Sequence, residues 1–164
     1  MATFADSPFA ALTVIVAPAI LTNASSVLSL GTSNRIARVV DRTRVLAAGL
    51  ATIDPASPRA AAYREHLDRL KLRGHLLLRA LRWFYASIGA FAAAALISVV
   101  GSVVATSVTD PVFQVVAALG LLSGTLGVAG LVIGGAVMVR ETKLAVEFLE
   151  REAEFIQARE YPPS

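Results

Sequence analysis

The feature that most constrains the fold of this chain is its three long stretches without a charged side chain. They cover Phe9–Leu30, Trp83–Thr109 and Pro111–Val139, and each is at least 22 residues long. A helix that crosses a membrane needs roughly 20 apolar residues, whereas an apolar run of about 10–14 is typical of a soluble core. The sequence therefore predicts an all-α membrane protein with three transmembrane helices, at about residues 9–30, 83–108 and 111–139.

Charged residues are concentrated outside these stretches. Only 16% of the chain is charged, against about 25% in soluble domains. We expect a single membrane domain of residues 1–164, with a helical connector at residues 31–82 and a helical tail at residues 140–160. The first eight residues contain no Lys or Arg, unlike the start of a secretory signal. The first stretch is therefore interpreted as a retained span.

The distribution of basic residues indicates the orientation. The connector Gly31–Arg82 holds eleven basic and four acidic side chains, a net charge of +7, whereas the tail holds four basic and six acidic ones. Because Lys and Arg accumulate on the cytoplasmic side, we expect long cytoplasmic helical extensions, with the N-terminus outside and the C-terminus inside. Basic clusters beside a membrane attract anionic headgroups, which we expect as partners instead of nucleic acid. The arginines expected to contact anionic lipid are Arg35, Arg38, Arg42, Arg79 and Arg82.

No catalytic or cofactor motif is recognisable. The chain has no cysteine, and its two histidines, His66 and His75, are nine residues apart, which is poor spacing for a shared metal. No carboxylate lies inside a predicted span, so a proton relay at mid-membrane has no residue to use. We expect neither enzyme activity nor a metal or cofactor.

The second half of the first span is unusually polar and is the closest the sequence comes to a functional site. Hydroxyls and amides at membrane depth need partners, so this face should point at protein or water instead of lipid. Two interpretations stay open, an interhelical hydrogen bond that fixes packing and the lining of a pore. The polar half contains Thr22, Asn23, Ser25, Ser26 and Ser29, with Asn23 and Ser26 on one helix face and Thr22, Ser25, Ser26 and Ser29 on an overlapping one. The residues of the candidate face are Thr22, Asn23, Ser26 and Ser29, with Thr125 on the third span.

Glycines recur along the third span at a spacing that allows close helix packing. Gly120/Gly124 and Gly130/Gly134 are small-xxx-small pairs, which let helix backbones approach closely in membranes. The pattern predicts helix packing within or between subunits, and with it a homo-oligomer.

The connector contains one helix break followed by a long helix. Asp54-Pro55 and Ser57-Pro58 both combine a capping residue with a proline at the first helical position, so a new helix is expected to start in this segment. Beyond it, apolar residues alternate at spacings of four and three and continue into the second span. The acidic residues of the tail could face the basic connector. The apolar residues with this alternating spacing form a heptad-like stripe, which comprises Tyr63, Leu67, Leu70, Gly74, Leu77, Leu81 and Phe84.

Pro18–Leu21 in the first span and the segment Asn34–Arg44 carry a resemblance to a known family. Asn34–Arg44 reads N-R-I-A-R-V-V-D-R-T-R, and an Arg/Leu-rich helix, Leu76–Arg82, enters the second span. Over residues 10 to 155 the chain resembles the bacterial membrane proteins called domain of unknown function 2721. The resemblance implies the topology and a multi-pass location in the bacterial plasma (inner) membrane, and it implies no activity.

Two classes of function remain open. A homo-oligomer could enclose a small-ion channel lined by the polar face of the first span, since three spans are too few to enclose a pore alone. Alternatively, a non-catalytic scaffold or assembly factor would bind an unknown protein partner through the cytoplasmic helices. The first class predicts a ring with a wettable axis, and the second predicts an exposed apolar surface on the cytoplasmic helices.

Overall fold

Three long helices make up the described part of the chain in the computed structural model. They are α1 (Pro8–Ala51), α2 (Pro58–Val104) and α3 (Pro111–Glu160). The structure describes the backbone of residues 8–104 and 111–160, and the side chains of residues 16–102 and 111–148. Each helix begins at a proline, a residue that suits the first helical turn because its missing N–H is not needed there.

The break between α1 and α2 lies where the sequence predicts it. The hydroxyl of Ser57 accepts a hydrogen bond from the amide of Ala60 at 3.2 Å, and the carboxylate of Asp54 accepts one from the amide of Ala56 at 3.1 Å. These bonds satisfy amide groups that have no partner inside the helix. The prediction that a new helix starts after this break and runs into the second apolar stretch is confirmed, and the helix begins at Pro58, the later of the two predicted positions.

Two of the helices are long and apolar enough to cross a membrane, Pro58–Ser102 and Pro111–Phe148. Their most apolar windows are only 28% and 11% buried, whereas a helix in the core of a soluble protein is mostly covered. The first predicted span lies partly outside the described side chains. The structure therefore supports two of the three predicted spans.

The chain divides into two compact units. The apolar unit comprises Met1–Gly31 and Leu81–Gly134, and the charged unit comprises Thr32–Ala80 and Gly135–Ser164. Of the fifteen Lys and Arg residues, only Arg82 belongs to the apolar unit. The two compact units therefore correspond to the charge-poor and the charge-rich parts of the sequence.

In the apolar unit, α2 and α3 pack antiparallel with aromatic side chains of one against glycines of the other. A methyl group added at Gly134 would lie 2.6 Å from the Phe84 ring, and one at Gly127 would lie 2.6 Å from the Phe91 ring. Both phenylalanines are almost fully buried. Because the glycines have no side chain, the two phenylalanine rings pack directly against the backbone of α3.

In the charged unit, all three helices contribute to a small apolar core. Val39 of α1 packs with Leu70 and Leu77 of α2, and Met138 of α3 contacts this cluster. Leu70 and Leu77 belong to the predicted heptad-like stripe, and both are buried. Gly74, between them in the stripe, faces Val39.

Candidate functional site

Within the apolar unit, the structure divides the polar residues of α1 between two faces. Ser25 and Ser29 are buried, while Asn23 and Ser26 are exposed and Thr22 is half-buried. The sequence predicts two overlapping polar faces, and the structure buries Ser25 and Ser29 of one face and exposes Asn23 and Ser26 of the other. The buried serines, Ser25 and Ser29, are four residues apart and so lie on one face of α1, whereas Asn23 and Ser26 lie on the surface of the single chain.

Most of these hydroxyls bond to their own helix. Thr22 donates to the carbonyl of Pro18 at 2.8 Å, Ser26 to that of Thr22 at 2.9 Å, and Ser29 to that of Ser25 at 2.9 Å. Thr125 on α3 is exposed and donates to the carbonyl of Leu121 at 2.8 Å. Such bonds one turn back satisfy a hydroxyl without help from another helix.

Two polar side chains of this face have no hydrogen-bond partner among the described residues. One is the hydroxyl of Ser25, which is fully buried. The other is the amide of Asn23, which is exposed. An amide carries two donors and an acceptor with two lone pairs, so Asn23 has the larger unmet hydrogen-bonding capacity of the two.

The predicted packing glycines have different surroundings. A methyl group added at Gly120 would lie 3.5 Å from the Ile97 side chain, and one added at Gly130 would lie 2.6 Å from the Ser87 hydroxyl. Both neighbours belong to α2. Gly124 has no neighbour within 4 Å of that position. Gly120, Gly130 and Gly134 therefore pack within the chain, whereas Gly124 leaves open space for another molecule.

The charged unit contains a buried carboxylate that the sequence interpretation did not single out. Glu141 of α3 has no exposed surface, and both of its oxygens are bonded to arginines. Oε1 accepts from Nε and Nη2 of Arg73 at 2.9 and 2.8 Å, and Oε2 accepts from Nη1 of Arg35 at 3.2 Å. The same Nη1 donates to the Thr142 hydroxyl at 3.2 Å. These four residues form what we call the Glu141 cluster, which joins all three helices.

Solvent reaches the arginines of the cluster but not its carboxylate. The side chain of Arg35 is 45% exposed and that of Arg73 is 30% exposed. A buried carboxylate requires compensation by charge and hydrogen bonds, and the two guanidinium groups provide both. All five predicted lipid-contacting arginines are exposed, and among the described residues Arg35 is the one of the five with an acidic partner.

One sequence signal could have found Glu141. It lies seven residues after Gly134 and fourteen after Gly127, so all three occupy one face of α3 at heptad spacing. Both glycines face the interior of their unit. Within the described residues, no group of three or more His, Cys, Asp or Glu side chains could hold a metal ion.

Comparison with known proteins places the chain in a family. The family model described as "Protein of unknown function (DUF2721)" matches residues 15–151 of the 164. The chain belongs to this family. The match includes the segment Asn34–Arg44 and all members of the Glu141 cluster, so both are part of the DUF2721 region. No curated protein and no solved structure gives a significant match.

Proposed function

We propose that this DUF2721 protein is a homo-oligomer of the bacterial plasma membrane that conducts small ions along an axis between its subunits. In this proposal the chain crosses the membrane three times, with its N-terminus outside and its charged unit in the cytoplasm. It works without catalysis and without a cofactor. Its partners are the lipid bilayer and further copies of itself, and nucleic acid is not among them.

The membrane assignment is supported by exposure and by charge. The apolar windows of α2 and α3 are largely uncovered, and lipid is the solvent that suits such surfaces. Fourteen of the fifteen basic residues belong to the charged unit, which agrees with a cytoplasmic location of that unit.

The observation that carries the channel proposal is the amide of Asn23. It is exposed and has no partner among the described residues. Asn23 precedes Arg35 by twelve residues, or about 18 Å along a helix, which places it near the middle of a bilayer. An unsatisfied polar group in lipid costs several kcal/mol. A second copy or a water-filled axis would remove that cost.

The packing of the apolar unit supports a pore between subunits instead of one inside the chain. Phe84 and Phe91 occupy the space between α2 and α3 and are 0% and 1% exposed. Asn23 and Ser26 of α1 and Thr125 of α3 are among the polar side chains that face away from the chain.

The test compares Asn23→Leu with Val27→Leu in proteoliposomes. Val27 is one turn from Asn23 and exposed, so its change alters shape without altering polarity. We expect Asn23→Leu to change the rate or ion preference of flux while the oligomer survives in nanodiscs, and Val27→Leu to leave flux unchanged. If wild-type protein is monomeric in nanodiscs, or if flux per folded oligomer is the same in both variants, the channel proposal is wrong.

The second candidate, a scaffold, is favoured by aliphatic side chains that the charged unit leaves uncovered. Val45 is 72% exposed and Leu72 is 48% exposed. In water such side chains often mark a surface that binds another protein. A photo-crosslinking residue at position 45, compared with one at exposed Ala61, tests this candidate. Reproducible adducts with one other protein would support a scaffold, and adducts between two copies of this chain alone would count against it.

A further inference from the structure

Arg35 in the Glu141 cluster holds its protein partners with a single nitrogen. Nη1 makes both bonds, to the Glu141 carboxylate and to the Thr142 hydroxyl, each at 3.2 Å. Nε and Nη2 have no partner among the described residues, and the side chain is 45% exposed. A guanidinium group presents five donors in a planar fork. The Nε–Nη2 edge of Arg35 is therefore available to a ligand.

The rest of the cluster fixes the orientation of that edge. Glu141 is fully buried and is held from the other side by Arg73. Thr142 donates its own proton to the carbonyl of Met138 at 3.0 Å, which leaves its oxygen lone pairs for Arg35. An arginine whose fork is already oriented loses less freedom when it binds an anion.

Two neighbouring residues of the same unit, placed by their positions on the helices, suit a lipid anion. Arg38, one turn further along α1, is exposed, and its one bond among the described side chains runs from Nε to the carbonyl of Asn34 at 3.4 Å. Val139, one turn before Thr142 on α3, is 56% exposed. A ligand that carries both a phosphate and a hydrocarbon chain would use both features, whereas a soluble phosphate would use only the arginines.

We propose that Arg35 binds the phosphodiester of an anionic phospholipid such as phosphatidylglycerol, through a bidentate contact of Nε and Nη2. Arg35 is the ligand, and Glu141 and Thr142 are positioning residues. The proposal rests on the membrane orientation given above, because Arg35 is the first charged residue after the first apolar stretch and Glu141 follows the third by two residues. In that orientation the cluster lies at the cytoplasmic surface, at the level of headgroups.

The test is a titration of purified protein in detergent with phosphatidylglycerol and, separately, with phosphatidylcholine, read by native mass spectrometry. Arg35→Lys keeps the charge and the ion pair but loses the fork. Its matched control is Arg44→Lys, which makes the same change at an exposed arginine of the same helix. We expect Arg35→Lys to weaken phosphatidylglycerol binding about tenfold, equivalent to one charge-assisted hydrogen bond, and Arg44→Lys to leave it within about twofold.

Thr142→Val provides a second variant that changes no charge. It removes one anchor of Nη1, and we expect weaker binding of phosphatidylglycerol with an unchanged thermal melting curve. Inorganic phosphate in millimolar excess is added as a competitor. We expect no displacement of the lipid, and displacement would mean that the site takes free phosphate and that the lipid proposal is wrong.

The outcomes separate this inference from the channel proposal. Equal binding by Arg35→Lys and Arg44→Lys, or equal affinity for the two lipids in the wild type, would overturn the lipid site. The titration requires neither ion flux nor an oligomer. Binding that depends on Arg35 in a protein without flux would retain the lipid site and reject the channel.

Discussion

In the Glu141 cluster, we expect substitution of Arg73 to destabilise the protein more than substitution of Arg35. Arg73 contributes two nitrogens to Glu141 at 2.9 and 2.8 Å and is 30% exposed, whereas Arg35 contributes one at 3.2 Å and is 45% exposed. Removing one partner of a buried ion pair costs about 3–5 kcal/mol. Because water reaches Arg73 and Arg35 still faces the carboxylate, we expect the lower end, about 3 kcal/mol, for Arg73→Gln. For Arg35→Gln we expect about 1 kcal/mol, the range of partly exposed pairs.

Removing the carboxylate should cost less than removing Arg73. Glu141→Gln keeps the size of the side chain and one acceptor, and both guanidinium groups can turn toward water. We therefore expect about 1–2 kcal/mol. The double variant Arg73→Gln/Glu141→Gln should be more stable than Arg73→Gln alone, because it no longer buries a half-compensated negative charge.

The measurement is reversible unfolding in mixed detergent micelles, followed by helical ellipticity. The exposed pair of Lys71 and Asp68 provides the control, and Lys71→Gln should change the free energy of unfolding by less than about 1 kcal/mol. The reasoning would be refuted if the double variant were less stable than Arg73→Gln, or if the Arg35 and Arg73 variants were equally destabilised.

Further predictions concern topology, packing and assembly. A cysteine at Thr109 should react with an impermeant thiol reagent from outside and one at Ala56 should not, and the reverse pattern would contradict the proposed orientation. Gly134→Ala should destabilise the protein by about 1–3 kcal/mol, because its methyl group would meet an aromatic ring at 2.6 Å, whereas Gly124→Ala, with nothing within 4 Å, should be neutral or slightly stabilising in the same unfolding assay. Gly124→Leu should leave the melting temperature unchanged and reduce the oligomer seen by mass photometry in nanodiscs, and an undiminished oligomer would mean that this face is not an interface. Ser25→Ala should be neutral or stabilising by about 1 kcal/mol, and a clear loss of stability would show that the hydroxyl has a partner.

The helical architecture could be predicted from the sequence because its signals are strong and local. The charge-free runs predict long helices, and the pairs Asp54-Pro55 and Ser57-Pro58 predict a new helix, which the structure begins at Pro58. The spacing of four and three in the connector identifies Leu70 and Leu77, both buried. These features depend on residues close in the chain, so a single sequence contains them.

The face that each helix of the apolar unit buries was not predictable in the same way. Along α1 the structure buries Ser25 and Ser29 and exposes Ile20 and Val27, the opposite of the pattern in a soluble helix. Lipid is as apolar as a protein core, so hydrophobicity does not distinguish the two environments. The polar residues could therefore be grouped by position along the helix but not assigned to an inner or outer face.

Glu141 was missed for a related reason. The net charge of the tail shows that acidic residues outnumber basic ones, but it does not show which carboxylate is buried. The burial of Glu141 depends on contacts of α3 with both α1 and α2, and its partner Arg35 is 106 residues away in the sequence. A contact over such a sequence separation cannot be predicted from residues close in the chain. The heptad spacing of Glu141 relative to Gly127 and Gly134 is the one sequence feature that indicates its burial.

That separation has a consequence for the order of events during synthesis. Arg35 and Arg73 leave the ribosome long before Glu141, which follows them by 106 and 68 residues. Until α3 is made, both arginines lack their carboxylate and carry a full, uncompensated charge. In the proposed topology they act during that interval as signals that retain the connector in the cytoplasm. Once Glu141 arrives, the same charges become internal contacts. A nascent chain truncated before residue 141 should therefore insert in the correct orientation and still lack the bonds that close the charged unit.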